Sequence, residues 1–210
     1  MGELNSMIYL VDDDRRVLNA LTRLLQSEGW LTQAFTSTAA FLEAHDPAVP
    51  GCVVLDLMMP EMSGLAVQTE LQRLGLSRPV IFLSGRAEIT ACATAMKAGA
   101  VDFLTKPVEA PLLFAAVHRA IEYDAAQRAH VEQRRALNER MTRLTHRERQ
   151  VLSGVVEGLL NKQIANQLGI VEKTVKVHRA HAISKLGARS TAELVRMVYS
   201  LGPEGGAPRL

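Results

Sequence analysis

Five polar residues sit where apolar runs stop. Asp12 and Asp13 close IYLV, Asp56 closes VVL, Ser84 closes IFL and Lys106 follows VDFLT. Carboxylates brought together repel one another and raise each other's pKa. A divalent cation removes that conflict, and a hard ion such as Mg²⁺ (or Mn²⁺) takes a few carboxylates and keeps its waters. Asp12 and Asp13 are therefore candidate metal ligands. Asp56 is a candidate ligand and a candidate nucleophile. Asp14, next in line, reads as a helix N-cap.

These groups can act together only if the surrounding elements bring them together. Residues 7–11 form a short apolar run, followed by a helical pattern with Val17, Leu18, Leu21, Leu24 and Leu25 on one face and Gly29 at its end. Further strands are expected at 30–35, 52–55, 79–83 and 101–104, and helices at 36–44, 64–74, 88–98 and from Glu109 onward. Strands alternating with helices predict an α/β, doubly wound, five-stranded parallel sheet covered on both faces. With strand order 2-1-3-4-5, the first and third strands flank the switch point. Ligands bind there, outside the strand carboxyl ends, and the five residues would converge.

The strings IYLVDDD, VVLDLMMPEMSG, IFLSG and VDFLTKP, in this order, resemble the receiver domain of bacterial two-component response regulators over roughly residues 6–124. The resemblance implies a flavodoxin-like fold over 6–122. It implies that Asp56 accepts a phosphoryl group from a phospho-histidine of a sensor histidine kinase, in a Mg²⁺-dependent reaction. It adds the backbone carbonyl of Met58 as a metal ligand. Lys106 and Ser84 would contact the phosphoryl oxygens. The ring of Phe103 would turn inward as Ser84 shifts, changing the surface of the fourth helix, fifth strand and fifth helix. The Lys106–Pro107 bond would be cis. Many relatives carry Thr where this chain has Ser84, and Gly85-Arg86-Ala87 is less typical of them.

The net charge of +2 over 210 residues hides an uneven distribution. Residues 1–118 carry 8 Lys and Arg against 13 Asp and Glu, whereas 142–210 carry 11 against 5. An acidic half and a basic third predict two modules with different partners. Residues 123–141, free of Gly and Pro and rich in Ala, Glu, Arg and Gln, read as a helical linker without a steady heptad. The glycine- and proline-bearing tail, 202–210, reads as disordered. No run is long enough for a membrane span and the N-terminus is unlike a secretory signal. Cys52 and Cys92 have neither zinc nor disulfide spacing and read as small core residues. A cytoplasmic location is expected.

The last third reads as a small helical bundle over 142–201. Thr145-x-x-Glu148 is a capping box. Asn161 is expected to cap a second helix, Gly169 to turn the chain, and a third helix to run from about Glu172 to Leu186. Stepping about 100° per residue puts Val175, Ala182 and Leu186 on one side of that third helix, and Lys173, Val177, Ala180 and Ser184 on the other. Lys176 lies at the edge of that second face. In a helix-turn-helix the N-terminal part of the second helix reaches base edges. Lys176 suits guanine and Val177 a thymine methyl. Lys162, Lys173, Thr174 and Arg179 are candidate DNA contacts. The string LTHRERQVLSGVVEGLLNKQIANQLGIVEKTVKVHRAHAISKLGARSTAELV resembles the LuxR-type DNA-binding domain. Both resemblances together are to response regulators of the FixJ/NarL type. By that resemblance Lys176 and Val177 are the base readers, and Ala180 stands where some relatives have lysine.

The leading expectation is a non-enzymatic transcription regulator. Its partners would be a sensor histidine kinase, promoter DNA, a second copy on phosphorylation, and RNA polymerase. An aspartyl-nucleophile phosphatase is the enzymatic alternative. It would want an acid two residues after Asp56, where this chain has Met58. A protein-binding adaptor is the third, and the basic tail argues against it.

Overall fold

The computed structural model describes residues 6–60, 62–76, 78–85 and 89–201, with the backbone alone at 89–91. The chain divides into two compact units, 1–128 and 129–210. The first contains β1 (Met7–Val11), α1 (Arg15–Ser27), β2 (Leu31–Phe35), α2 (Thr38–Ala44), β3 (Gly51–Asp56), α3 (Gly64–Arg73), β4 (Val80–Ser84), α4 (Ile89–Lys97), β5 (Asp102–Thr105) and the start of α5 (Ala110–Thr142). The sheet is parallel throughout, in the order β2-β1-β3-β4-β5.

The sheet is buried on both faces because β3 and β4 are apolar at nearly every position and have no exposed residue. Alternate side chains serve alternate faces. Ile8, Leu10, Val54, Ile81 and Leu83 pack with Leu18, Leu21 and Leu25 of α1 and Leu113 and Val117 of α5. Tyr9, Val53, Leu55 and Phe82 pack with Phe41 of α2, Val67 and Leu71 of α3 and Ala95 of α4. Cys52 is wholly buried in the first layer, and burial pushes its thiol up to about 12. Met59 and Met62 pack on the second layer, while Met58 is exposed.

Local chemistry sets the helix starts. The carboxylate of Asp14 accepts from the Arg16 N–H at 2.8 Å and caps α1 as expected. The second helix begins at Thr38 rather than 36, because Ser37 takes extended backbone and caps it. Gly51 opens β3 at φ +141°, and a Cβ there would lie 1.9 Å from the Met7 carbonyl oxygen. Its N–H donates to the buried carboxylate of Asp124 at 2.9 Å. Asp124 also accepts from Arg128 at 2.7 Å, and Arg128 donates to the carbonyls of Pro47, Ala48 and Val49. These bonds hold residues 124–128 to the first unit, although α5 continues to Thr142.

The second unit contains the end of α5 and α6 (His146–Val156), α7 (Asn161–Leu168), α8 (Glu172–Leu186) and α9 (Thr191–Tyr199). Leu137, Val151, Leu152, Ile164, Val175, Ala182, Leu186, Leu194 and Val198 form its core. The capping box is present: Thr145 Oγ1 accepts from the Glu148 N–H at 3.3 Å, and Glu148 accepts from the Thr145 N–H at 2.8 Å. Asn161 is not the cap of α7. Leu160 holds that position with extended backbone, and Gln163 reaches back to the Leu160 N–H at 2.7 Å. The Asn161 amide is used elsewhere, as an acceptor for Arg179. Gly169 takes left-handed backbone at φ +65° and turns α7 into α8. The tail at 202–210 and the positions Arg86 and Ala87 lie outside the described residues. No helix among the described residues is long and apolar enough to cross a membrane.

Candidate functional site

Strand order explains why distant residues meet. β1 and β3 are adjacent, with Val11 opposite Leu55, so Asp12 and Asp13 emerge beside Asp56. β4 lies on the other side of β3, and β5 beyond it, with Ser84 opposite Thr105. The Lys106 N–H donates to the Ser84 carbonyl at 2.7 Å, and the Lys106–Pro107 bond is cis.

Ligand atoms of Asp12, Asp13 and Asp56 all lie within 4.8 Å of one another. Asp12 and Asp56 are buried and Asp13 is exposed. The ammonium of Lys106 stands 2.5 Å from Asp12 Oδ2 and 2.8 Å from Asp56 Oδ1. Asp12 Oδ1 also accepts from the Asp14 N–H at 2.9 Å. Burial pushes the Asp56 carboxyl above its usual range. The Lys106 ammonium opposes that shift, and Asp12 and Asp13 add to it. Burial alone would lower the Lys106 ammonium, but its bonds to Asp12 and Asp56 outweigh it and hold it above its usual value. One ammonium thus pairs with two carboxylates of a cluster of three. The residual negative charge and the all-oxygen donor set fit a hard divalent cation.

Ser84 is buried at the end of β4. Phe103 is half-buried, pairs with Phe82 in register and packs on the second core layer. Met58, two residues after Asp56, turns its side chain to solvent at 64% exposure. Gly64 is a contributor that motif reading missed. It opens α3 directly behind Asp56, and a Cβ there would lie 2.6 Å from the Asp56 carbonyl oxygen. Its only sequence trace is the glycine within MMPEMSG.

In the second unit α8 buries Val175, Ala182 and Leu186 and exposes Lys173, Lys176, Val177 and Ala180. Lys162 on α7 is exposed, and Thr174 is half-buried. Lys176 makes an exposed ion pair with Glu172 at 3.1 Å. Arg179 differs from the other candidate contacts. Its guanidinium donates to Asn161 at 2.9 Å and to Thr191 at 2.7 Å, tying α8 to α7 and α9. Glu148, which is buried, also accepts from Lys185 at 2.7 Å. Neither tie follows from spacing along the chain, because each partner lies on another helix.

Receiver geometry in one unit and a helix-turn-helix in the other define a class: a regulator with a receiver-type input domain and a DNA-binding output domain. Residues 8–118 match the response regulator receiver domain family, and residues 142–198 match the bacterial regulatory proteins of the luxR family. The chain belongs to the response regulators. It is 43% identical over 201 residues to the response regulator protein TodT of Pseudomonas putida, covering 96% of this chain and 88% of TodT. It is 40% identical over 195 residues to the transcriptional regulatory protein FixJ of Rhizobium meliloti, covering 93% and 96%. Among solved structures, the response regulator StyR aligns with TM-score 0.79 at 41% identity, covering 92% of this chain and 98% of StyR. Full-length FixJ from B. japonicum aligns with TM-score 0.58 at 34% identity, covering 94% and 97%.

Proposed function

We propose that this response regulator is switched by phosphorylation of Asp56 and that the phosphorylated form binds promoter DNA as a dimer. The observation that carries the reading is the buried Asp56 carboxylate, paired with Lys106 and crowded by Asp12 and Asp13. An Asp56 oxygen attacks the phosphorus of a phospho-histidine on a sensor histidine kinase. The P–N bond breaks, its electron pair leaves with the imidazole, which takes up a proton, and an acyl phosphate forms. Lys106 offers positive charge to the phosphoryl oxygens, where charge spreads in the transition state. The Ser84 hydroxyl donates to the phosphoryl group once it is attached. Asp12, Asp13, Asp56 and the Met58 carbonyl would hold Mg²⁺, or Mn²⁺ in its place, which when bound neutralises the phosphoryl oxygens.

The acyl phosphate carries roughly two negative charges in place of the single charge of the carboxylate. The pull on Ser84 and the packing of Phe103 bias the surface of α4, β5 and α5 towards a second arrangement. That surface pairs two copies, so two output domains meet two DNA half-sites. Lys162, Lys173, Thr174, Arg179 and Ala180 face the DNA backbone or groove, with Lys176 and Val177 at the base edges. Contact with RNA polymerase completes the reading. The test of the chemistry is incubation with a small-molecule phosphodonor and Mg²⁺, followed by intact mass. The wild type should gain one phosphoryl group, and Asp56→Asn should gain none. Equal labelling of both would refute the assignment of Asp56.

A further inference from the structure

Five helices begin on a polar side chain that accepts from their own first turn: Asp14 for α1, Ser37 for α2, Ser63 for α3, Thr145 for α6 and Ser190 for α9. The two helices of the helix-turn-helix do not. α7 begins on Leu160 and α8 on Val171, and neither has a side-chain cap bond. These two residues are also the most exposed large hydrophobics of the described chain, at 70% and 67%. A single exposed aliphatic residue on a surface needs no explanation. An aliphatic residue at an N-cap forgoes a capping bond and leaves apolar area in water at once. Both costs fall on the same two helices.

Charge at these positions names the partner. Each aliphatic cap is followed two residues later by an exposed lysine, Lys162 on α7 and Lys173 on α8. A cation in the first turn opposes the helix's own dipole, so the start of α7, which has no acid in its first turn, suits an anionic partner. On α8 the acid of the first turn, Glu172, is paired by Lys176 at 3.1 Å, which leaves the charge of Lys173 for the same kind of partner. The first helix of a helix-turn-helix crosses the DNA backbone, and the second enters the major groove by its N-terminal end. Duplex DNA offers apolar surface at both places, the deoxyribose at the groove edge and the thymine C5-methyl on the groove floor.

We propose that Leu160 and Val171 are apolar DNA-contacting residues: Val171 packs on a thymine methyl and thereby selects sequence, and Leu160 packs on deoxyribose at the groove edge. This rests on the DNA-binding reading above. Serine at either position restores the missing cap, so the substitution should stabilise the second unit while weakening DNA binding. A residue that is merely structural would move both properties together.

The experiment measures binding of the full-length phosphorylated protein to a selected site across a salt series, for wild type, Leu160→Ser, Val171→Ser and Val171→Ile. In parallel, each thymine of the site is replaced by uracil, which removes only the methyl. Both serine variants should unfold at a higher temperature and bind several-fold more weakly. The slope of log K against log salt should stay unchanged, because no ionic contact is lost. One uracil position should weaken the wild type about fourfold and leave Val171→Ser unaffected, and Val171→Ile should keep the thymine preference. Serine variants that bind like the wild type, or uracil effects equal in wild type and Val171→Ser, would overturn the inference with the DNA-binding reading intact. Absence of salt-sensitive binding by the wild type would instead overturn that reading and this inference with it.

Discussion

Gly64 packs so closely behind Asp56 that a Cβ at Gly64 would lie 2.6 Å from the Asp56 carbonyl oxygen and 2.8 Å from the Phe82 ring. The strand that ends in Asp56 therefore has a helix start pressed against its last peptide. Gly64→Ala should displace that peptide. Overpacking of this kind costs about 1–3 kcal/mol, and the shift should also slow phosphoryl uptake from a small phosphodonor. Urea unfolding and initial labelling rates measure the two effects. A variant with wild-type stability and rate would show that the strand tolerates the displacement.

Lys106 is the one cation seen within ion-pair distance of Asp12 and Asp56 among the described residues. Lys106→Met should leave Asp12 and Asp56 buried without a cation, at a cost of about 3 kcal/mol. Mg²⁺ should restore a larger share of stability in the variant than it adds to the wild type. Thermal melts with Mg²⁺ and with chelator make the comparison. Equal stabilisation of both proteins by the ion would separate Lys106 from the metal site.

Much of this arrangement was legible before any coordinates. Asp12, Asp13, Asp56, Ser84 and Lys106 each end an apolar run, and parallel order alone brings such ends together. The capping box at Thr145 and the buried stripe of α8 also follow from local spacing. What was not legible depends on partners far apart in the chain. Asn161 looks like a cap by type, but Arg179 claims its amide from another helix. Arg179 reads as a phosphate contact by charge, and its bonds to Asn161 and Thr191, which link three helices, have no trace in the local spacing. Leu160 and Val171 look like ordinary apolar residues until the structure puts them at helix starts in solvent.

The base of the first unit predicts an acid-sensitive step. His45 is buried, and its Nε2 accepts from Arg78 Nε at 2.9 Å. Burial first, then the Arg78 charge, pulls the imidazole down to about 4, with Arg128 adding to the shift and Asp46 opposing it. The unfolded value is near 6.5, so the unfolded chain binds the proton first. The contribution is complete above that pH and is lost as pH falls towards 4, with an upper limit of about 3 kcal/mol. His45→Gln, whose amide oxygen can still accept from Arg78, should flatten stability between these pH values. An unchanged acid limb would assign it to other groups.

The candidate DNA contacts divide by what else they hold. Lys173→Ala and Lys176→Ala remove exposed charges and should leave unfolding unaltered. Lys173→Ala should lower the salt slope of DNA binding by about 1, whereas Lys176→Ala should cost about 1–3 kcal/mol and relax the preference at one base pair. Arg179→Ala also breaks the bonds to Asn161 and Thr191, so it should destabilise the second unit by about 1–2 kcal/mol. Binding and unfolding curves on the same three variants separate the groups. A fully stable Arg179→Ala would place that guanidinium with the other two.

The most direct test of the switch is DNA affinity of wild type and Asp56→Asn, each with and without a small phosphodonor and Mg²⁺, over a salt series. The expected result is that the phosphodonor tightens salt-sensitive binding of the wild type alone, together with a shift to dimer. Equal affinity of phosphorylated wild type and Asp56→Asn would contradict control of DNA binding through Asp56.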